Sequence, residues 1–425
     1  MDIPQPPVTE EQREQFQAHP FRADMRILFL GALIVFIITV IIGLINGQRL
    51  LKLSQDVLLT HVHAGTIGWI TLSVFALSLW LFKESGTAPT PNPLIRWSSI
   101  AGAVFIPLYV LAFLSGIPIA RVTLGIPTWI VMAIFFVWIV YRSTRLRLGV
   151  AQLAILASLF TLVLGGLLGV LLQFEFATSS VFLPQGAFGA HPAGLVTGYL
   201  VLIGMALSEW RLRPAHIHGG APRLGVIQIS LFFLSGIVIA IATLFNLTPL
   251  YGLNTLLLVV GGVIYIIRFA PYVARTHWTG RNSGRFFALS GVFIVVQVIL
   301  TIYLTVLAIA NGSVPAGSGL LIALDHAVFI GIMTNALFGL LREVTAEREA
   351  VLSWAEDVVF WGMNIGLIGF LFALLSNIRD LERIFTPIMG LAILLAIGLF
   401  IARILPSRSL SVPAVDRAST SGQTL

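Results

Sequence analysis

Apolar residues in this chain fall into long blocks separated by short polar or charged stretches, and the blocks run close to 20 residues each. A helix needs about 20 apolar residues to cross a hydrocarbon core of roughly 30 Å. Twelve such blocks are present, at about 25–46, 57–82, 97–118, 124–141, 149–173, 188–210, 224–246, 251–269, 286–310, 318–341, 351–376 and 384–404. Backbone N–H and C=O groups find no water in lipid, so each block must satisfy its own and is predicted to be an α-helix. The expected fold class is an all-α integral membrane protein with twelve transmembrane helices. Residues 1–24 read as an N-terminal tail, 25–404 as the membrane domain and 405–425 as a C-terminal tail. The first tail carries Glu10, Glu11 and Glu14 and lacks the apolar core of a secretory signal. The second is rich in Ser, Thr and Pro and is expected to be disordered.

Composition agrees with the pattern. Of 425 residues, 57% are hydrophobic and 10% charged, too few polar groups to cover a soluble domain. The charges are distributed unevenly. Only Arg49, Lys52, Arg121, Arg379 and Arg383, of 25 Lys and Arg, fall in the loops opposite the termini. Basic loops stay cytoplasmic, so both termini are expected in the cytoplasm of a prokaryotic cytoplasmic (inner) membrane. This asymmetry accounts for the net charge of +7 without a nucleic-acid partner; lipid is the expected surrounding. Cysteine is absent, which excludes disulfides, thiolate metal sites and covalent c-type haem attachment.

Candidate chemistry lies in the histidines. Four of the eight, His61, His63, His191 and His326, sit inside the second, sixth and tenth blocks. Ionisable side chains in a membrane are costly and mark function by default. At 1.5 Å of rise per residue all four lie roughly 8–12 Å below one surface, and their deliverable ligands are imidazole nitrogens in one layer. His61 and His63 are separated by about 200° of helix rotation, so only one can face a given site; His63, the deeper, is the favoured one. An internal repeat accompanies them: Gly68-Trp69 lies seven residues after His61, Gly198-Tyr199 seven after His191, and Met333-Thr334 at that offset from His326. Blocks two, six and ten end in Lys83, Arg211 and Arg342. The plan is three units of four helices.

Twelve helices in three four-helix arcs, with histidines near one end of helices two, six and ten, resemble subunit I of the haem–copper oxidase superfamily. The resemblance spans about residues 25–404 and rests on topology and short motifs. It implies a non-covalent haem, of b type, held by His326 and by His61 or His63. Gly189-Ala190-His191-Pro192 resembles the helix-six copper-ligand motif, and Arg379 and Arg383 stand where the family places arginines against haem propionates. Five departures bear on activity. Thr243-Leu244-Phe245-Asn246-Leu247-Thr248 replaces the helix-seven His-His pair, Leu195 the family tyrosine, and Ala193 the glutamate used in proton delivery. Helix ten offers the single His326, preceded by Asp325, so it cannot ligate two haems in the family manner, and no lysine lies inside a span. Copper is therefore not expected, and the resemblance implies electron transfer or binding of NO or O2 rather than complete oxygen reduction. The reduced pattern also resembles the NnrS family, linked to nitric-oxide metabolism, and oxidase-like proteins with His-x-His and Gly-Trp on helix two. Electrons would be exchanged with a protein partner or a quinol.

Plainer readings stand beside these. His191 could cap a helix start beside Pro192, and Arg379 and Arg383 could pair with Asp380 and Glu382 at the surface. Asp325 could orient His326 through a hydrogen bond or act as a proton stop. Glu356 and Asp357 read as acids favoured by a helix N-terminus. His19, His216, His218 and His277 read as surface residues. A proton or ion transporter on the same scaffold is the competing function class.

Overall fold

The computed structural model describes residues 19–82, 92–213, 220–311 and 318–405. Lys83, His216, His218 and most of both tails lie outside these residues. Twelve helices are long and apolar enough to cross a membrane. They are α1 (Arg22–Gly47), α2 (Gln55–Leu81), α3 (Pro93–Leu114), α4 (Pro118–Ser143), α5 (Val150–Thr178), α6 (Ala187–Leu212), α7 (Arg223–Leu244), α8 (Thr248–Ala274), α9 (Gly284–Asn311), α10 (Gly319–Val344), α11 (Ala355–Ser376) and α12 (Arg379–Ile404). No strand occurs among the described residues. The chain is a multi-pass membrane protein.

Helix boundaries depart from the hydropathy blocks where polar residues occupy a helical end. α12 begins at Arg379, five residues before its block, because Asp380 and Glu382 lie in its first turn, where the helix dipole favours acids. α4 begins at Pro118, a residue whose fixed φ suits the first helical position. α3 is started by Asn92, whose side chain accepts from Leu94 N at 3.0 Å.

Burial separates the helices into two groups. In their most apolar windows, α2 and α6 are 78% buried and α10 is 67% buried, against 28–50% for the others. α10 packs against both α2 and α6, so these three form the interior. Around them α12 contacts α1, α1 contacts α3, α3 contacts α4, α4 contacts α5, α5 contacts α7, α7 contacts α8, α8 contacts α9, and α11 contacts α12.

The face that carries the start of α1 and the end of α12, called the terminal face below, is closed by buried ion pairs. Glu356 accepts from Arg342 Nε and Arg403 Nη1, both at 2.8 Å, and ties α11 to α10 and α12. It does more than oppose a helix dipole. Glu209 accepts from Arg268 at 2.7 and 2.9 Å, linking α6 to α8. His19, expected at the surface, is 4% exposed and stacks on Trp80 with ring centroids 4.9 Å apart.

Each interior helix also contains a π-helical stretch: Ala64–Thr71 in α2, Val196–Val201 in α6 and Ala327–Thr334 in α10. Such widened turns are uncommon and gather at functional sites. Here threonine hydroxyls bond the carbonyl five residues back, Thr71 to Thr66 O at 3.1 Å and Thr334 to Phe329 O at 2.8 Å.

Candidate functional site

His61 and His326 face one cavity of about 490 Å³, walled by α1, α2, α10, α11 and α12. Its size lies within the roughly 300–1,000 Å³ typical of small-molecule and cofactor sites. His61 comes from the helical turn before the π stretch of α2, and His326 directly precedes that of α10. The two imidazoles lie within electrostatic reach of each other.

Both rings are held the same way round. His61 Nδ1 donates to Thr39 O of α1 at 2.8 Å, and His326 Nδ1 donates to Ile322 O, one turn back, at 2.8 Å. A carbonyl only accepts, so each Nδ1 carries the hydrogen and each Nε2 keeps its lone pair. No described protein group bonds either Nε2. A backbone carbonyl on Nδ1 is the usual arrangement that fixes an imidazole for ligation through Nε2. Gly43 makes room for the His61 ring: a Cβ there would lie 3.0 Å from its Cε1. Phe370 packs edge-on to His326, with centroids 4.9 Å apart.

Deeper in the cavity Trp69 stacks on Phe36, centroids 4.6 Å apart, and donates from Nε1 to Thr334 Oγ1 at 3.2 Å, joining α2 to α10. Tyr199 of α6 shares a 3.0 Å hydrogen bond with Thr71 of α2. At the mouth, Arg49 pairs with Glu382 at 3.1 Å, and both line the cavity.

Several sequence-derived placements change. His61, and not the deeper His63, shares the cavity with His326, because the half-turn between the two histidines sends them to opposite sides of α2. Arg379 and Arg383 are exposed and do not line the cavity; the arginine at its mouth is Arg49, which lies in the α1–α2 connection with a positive φ of 54°. Asp325 lines the cavity but does not orient His326, whose Nδ1 is already taken by Ile322 O. Asp325 has no described hydrogen-bond partner.

The repeat is also shifted. Gly68 packs on Val35 of α1, Gly198 on Thr161 of α5 and Gly331 on Phe293 of α9, each so closely that a Cβ would collide. This matches Gly331 to Gly68, and hence His326 to His63 rather than to His61. Sequence reasoning missed Arg49, Thr39 and the Trp69–Thr334 bond. Arg49 showed only as one of five outer-loop cations and the bond only as Trp69 and Thr334 in the repeat; Thr39 left no sign.

His191 lies elsewhere, with Nδ1 donating to Gly165 O of α5 at 2.9 Å. His63 donates to Leu59 O at 2.8 Å. Among the described residues no group of three or more His, Asp or Glu is gathered for a metal ion. No protein-family model matches the chain, and no curated protein matches it.

Proposed function

We propose that the protein is a haem-binding membrane protein of electron transfer, a reduced relative of haem–copper oxidase subunit I built from three four-helix arcs. The observation that carries this reading is the pair His61 and His326 on one cavity, each with Nδ1 tied to a backbone carbonyl and Nε2 free. His61 and His326, on helices that pack together, would hold the haem through their free Nε2 atoms. Without cysteine the haem would be held non-covalently, and we take it to be of b type. The mainly apolar wall, with Phe36, Trp69, Phe329 and Phe370, suits a porphyrin face, and Arg49 at the mouth supplies the cation that Arg379 and Arg383 do not.

When bound, the haem supplies one-electron redox chemistry; the chain supplies orientation and shielding. Thr39 O and Ile322 O hold the two rings, Gly43 leaves His61 its space, and Trp69 and Phe36 close the deep end. Because His61 and His326 would both be committed to holding the group, electron transfer to a protein partner or a quinol is favoured over capture of a diatomic gas. The absence of a histidine pair at the end of α7 argues against oxidase-type copper chemistry. The excess of Arg and Lys near the terminal face supports both termini in the cytoplasm of a prokaryotic inner membrane.

A proton or ion path is the second reading, favoured by one feature, the unbonded Asp325 carboxyl in the same cavity. Colour separates the two. Protein purified in mild detergent from haem-replete cells is expected to show a Soret band and to release haem into alkaline pyridine. Colourless, well-folded protein would favour the transport reading.

A further inference from the structure

α2 carries two histidines, and the cavity described above uses only His61. The surroundings of His63 reproduce those of His326. Each donates Nδ1 to the carbonyl one turn back in its own helix, Leu59 O and Ile322 O. Each packs on a phenylalanine of the following helix: Phe113 of α3 stacks on His63 with centroids 3.8 Å apart, and Phe370 of α11 meets His326 edge-on. His191 in turn reproduces His61. Each donates Nδ1 to the helix preceding its own, Gly165 O of α5 and Thr39 O of α1. One turn further along that helix a glycine gives the ring its space, Gly169 for His191 and Gly43 for His61.

Hydrogen bonds between interior helices follow the same rotation. Trp69 of α2 bonds Thr334 of α10, and Tyr199 of α6, the counterpart of Trp69, bonds Thr71 of α2, the counterpart of Thr334. The α2–α6 junction therefore repeats the histidine settings and the cross-helix hydrogen bond of the α10–α2 junction, and His63 and His191 lie within electrostatic reach of each other. The third junction is different. Its corresponding positions are Leu324 and Ala193 for the histidines, and Ile332 and Val201 for the hydrogen-bonded pair, none of which can ligate or bond in this way.

We propose that His63 and His191 are a second pair of axial haem ligands, so that the chain binds two haems, at two of three rotationally related junctions. The inference rests on the reading of His61 and His326 as haem ligands. A bare metal ion fits less well, because two imidazoles leave most of its coordination to be filled, whereas a porphyrin supplies the other four nitrogens. Neither Nε2 has a described protein partner. The Arg121 guanidinium, 4.9 Å from the Phe113 ring and paired with Asp56, keeps a buried Nε without a described partner and offers a carboxylate-binding cation.

The test is the haem-to-protein ratio, by pyridine extraction, of the detergent-purified full chain and two double variants. Wild type is expected to hold two haems per chain. His63→Ala/His191→Ala and His61→Ala/His326→Ala are each expected to hold one, with different residual spectra. One haem in wild type, unchanged by His63→Ala/His191→Ala and lost in His61→Ala/His326→Ala, overturns the second site and leaves the proposed function standing. No haem in any preparation overturns both. Should a double variant aggregate, His191→Gly with added imidazole replaces it. Restoration of the six-coordinate spectrum by imidazole is the expected result, and failure of that rescue where His326→Gly is rescued overturns the proposal.

Discussion

At the scale of single residues, the site is set by how each imidazole is turned. His61 Nδ1 is fixed by Thr39 O, a main-chain group that substitution of Thr39 does not remove, so the ring itself and the space around it are the accessible levers. His61→Ala and His326→Ala are each expected to empty the cavity of haem or leave it five-coordinate, seen as loss or shift of the Soret band; His277→Ala, at an exposed loop position, should leave the spectrum unchanged. A wild-type spectrum at full occupancy in His326→Ala would contradict the ligand assignment. Gly43→Val drives a branched side chain into the His61 ring, already 3.0 Å from a Cβ at that position, and should reproduce much of the His61→Ala spectrum. Gly398→Val is the matched control, because nothing lies within 4 Å of its Cβ. The four histidines could be found in the sequence because an ionisable residue stands out in an apolar block. Which of His61 and His63 faces the cavity could not, because two residues amount to half a turn and the phase of α2 is set by packing on α1.

At the scale of elements, close backbone approach and buried charge hold the helices in register. Gly236 of α7 lies against the backbone of Gly198 in α6, where a Cβ would strike Gly198 Cα. Gly236→Leu should force α6 and α7 apart and lower the thermal midpoint of the detergent-solubilised protein; an unchanged midpoint would contradict the packing described. Glu356 is shared by two buried arginines, and removing one partner of a buried ion pair typically costs about 3–5 kcal/mol. Glu356→Ala is therefore expected to lower stability by that order in a thermal unfolding series, with Glu347→Ala, at a more exposed pair, nearly neutral. Hydropathy located every helix, yet it placed the start of α12 late because Arg379, Asp380 and Glu382 read as loop. The π stretches left no mark in the sequence, since a widened turn is a product of tertiary packing. The repeat register slipped by two residues at α10 for a related reason: Ile332 stands where Trp69 and Tyr199 do, and only the contact of Gly331 with α9 restores the match.

For the whole molecule, twelve crossings return the chain to the face it left, and the excess of Arg and Lys there is our reason for proposing it as the cytoplasmic face. A reporter that is active only in the cytoplasm, fused after Leu425, should be active, and one active only outside should be silent; the reverse pair would overturn the orientation. The number of helices and their membrane class were legible because lipid imposes one length and one polarity on every span. The arrangement was less so: the gathering of α2, α6 and α10 at the centre depends on small residues meeting particular neighbours, and Arg49 reaches the cavity mouth through a loop whose conformation no periodicity encodes. The central claim is that His61 and His326 are brought together to hold a haem. Its most direct test is the absorbance spectrum of the purified full-length protein, before and after dithionite reduction, beside that of His61→Ala/His326→Ala. A six-coordinate low-spin b-type spectrum, diminished in the double variant, is predicted; a monodisperse wild-type protein with no Soret band, or one whose spectrum the double variant leaves untouched, would contradict it.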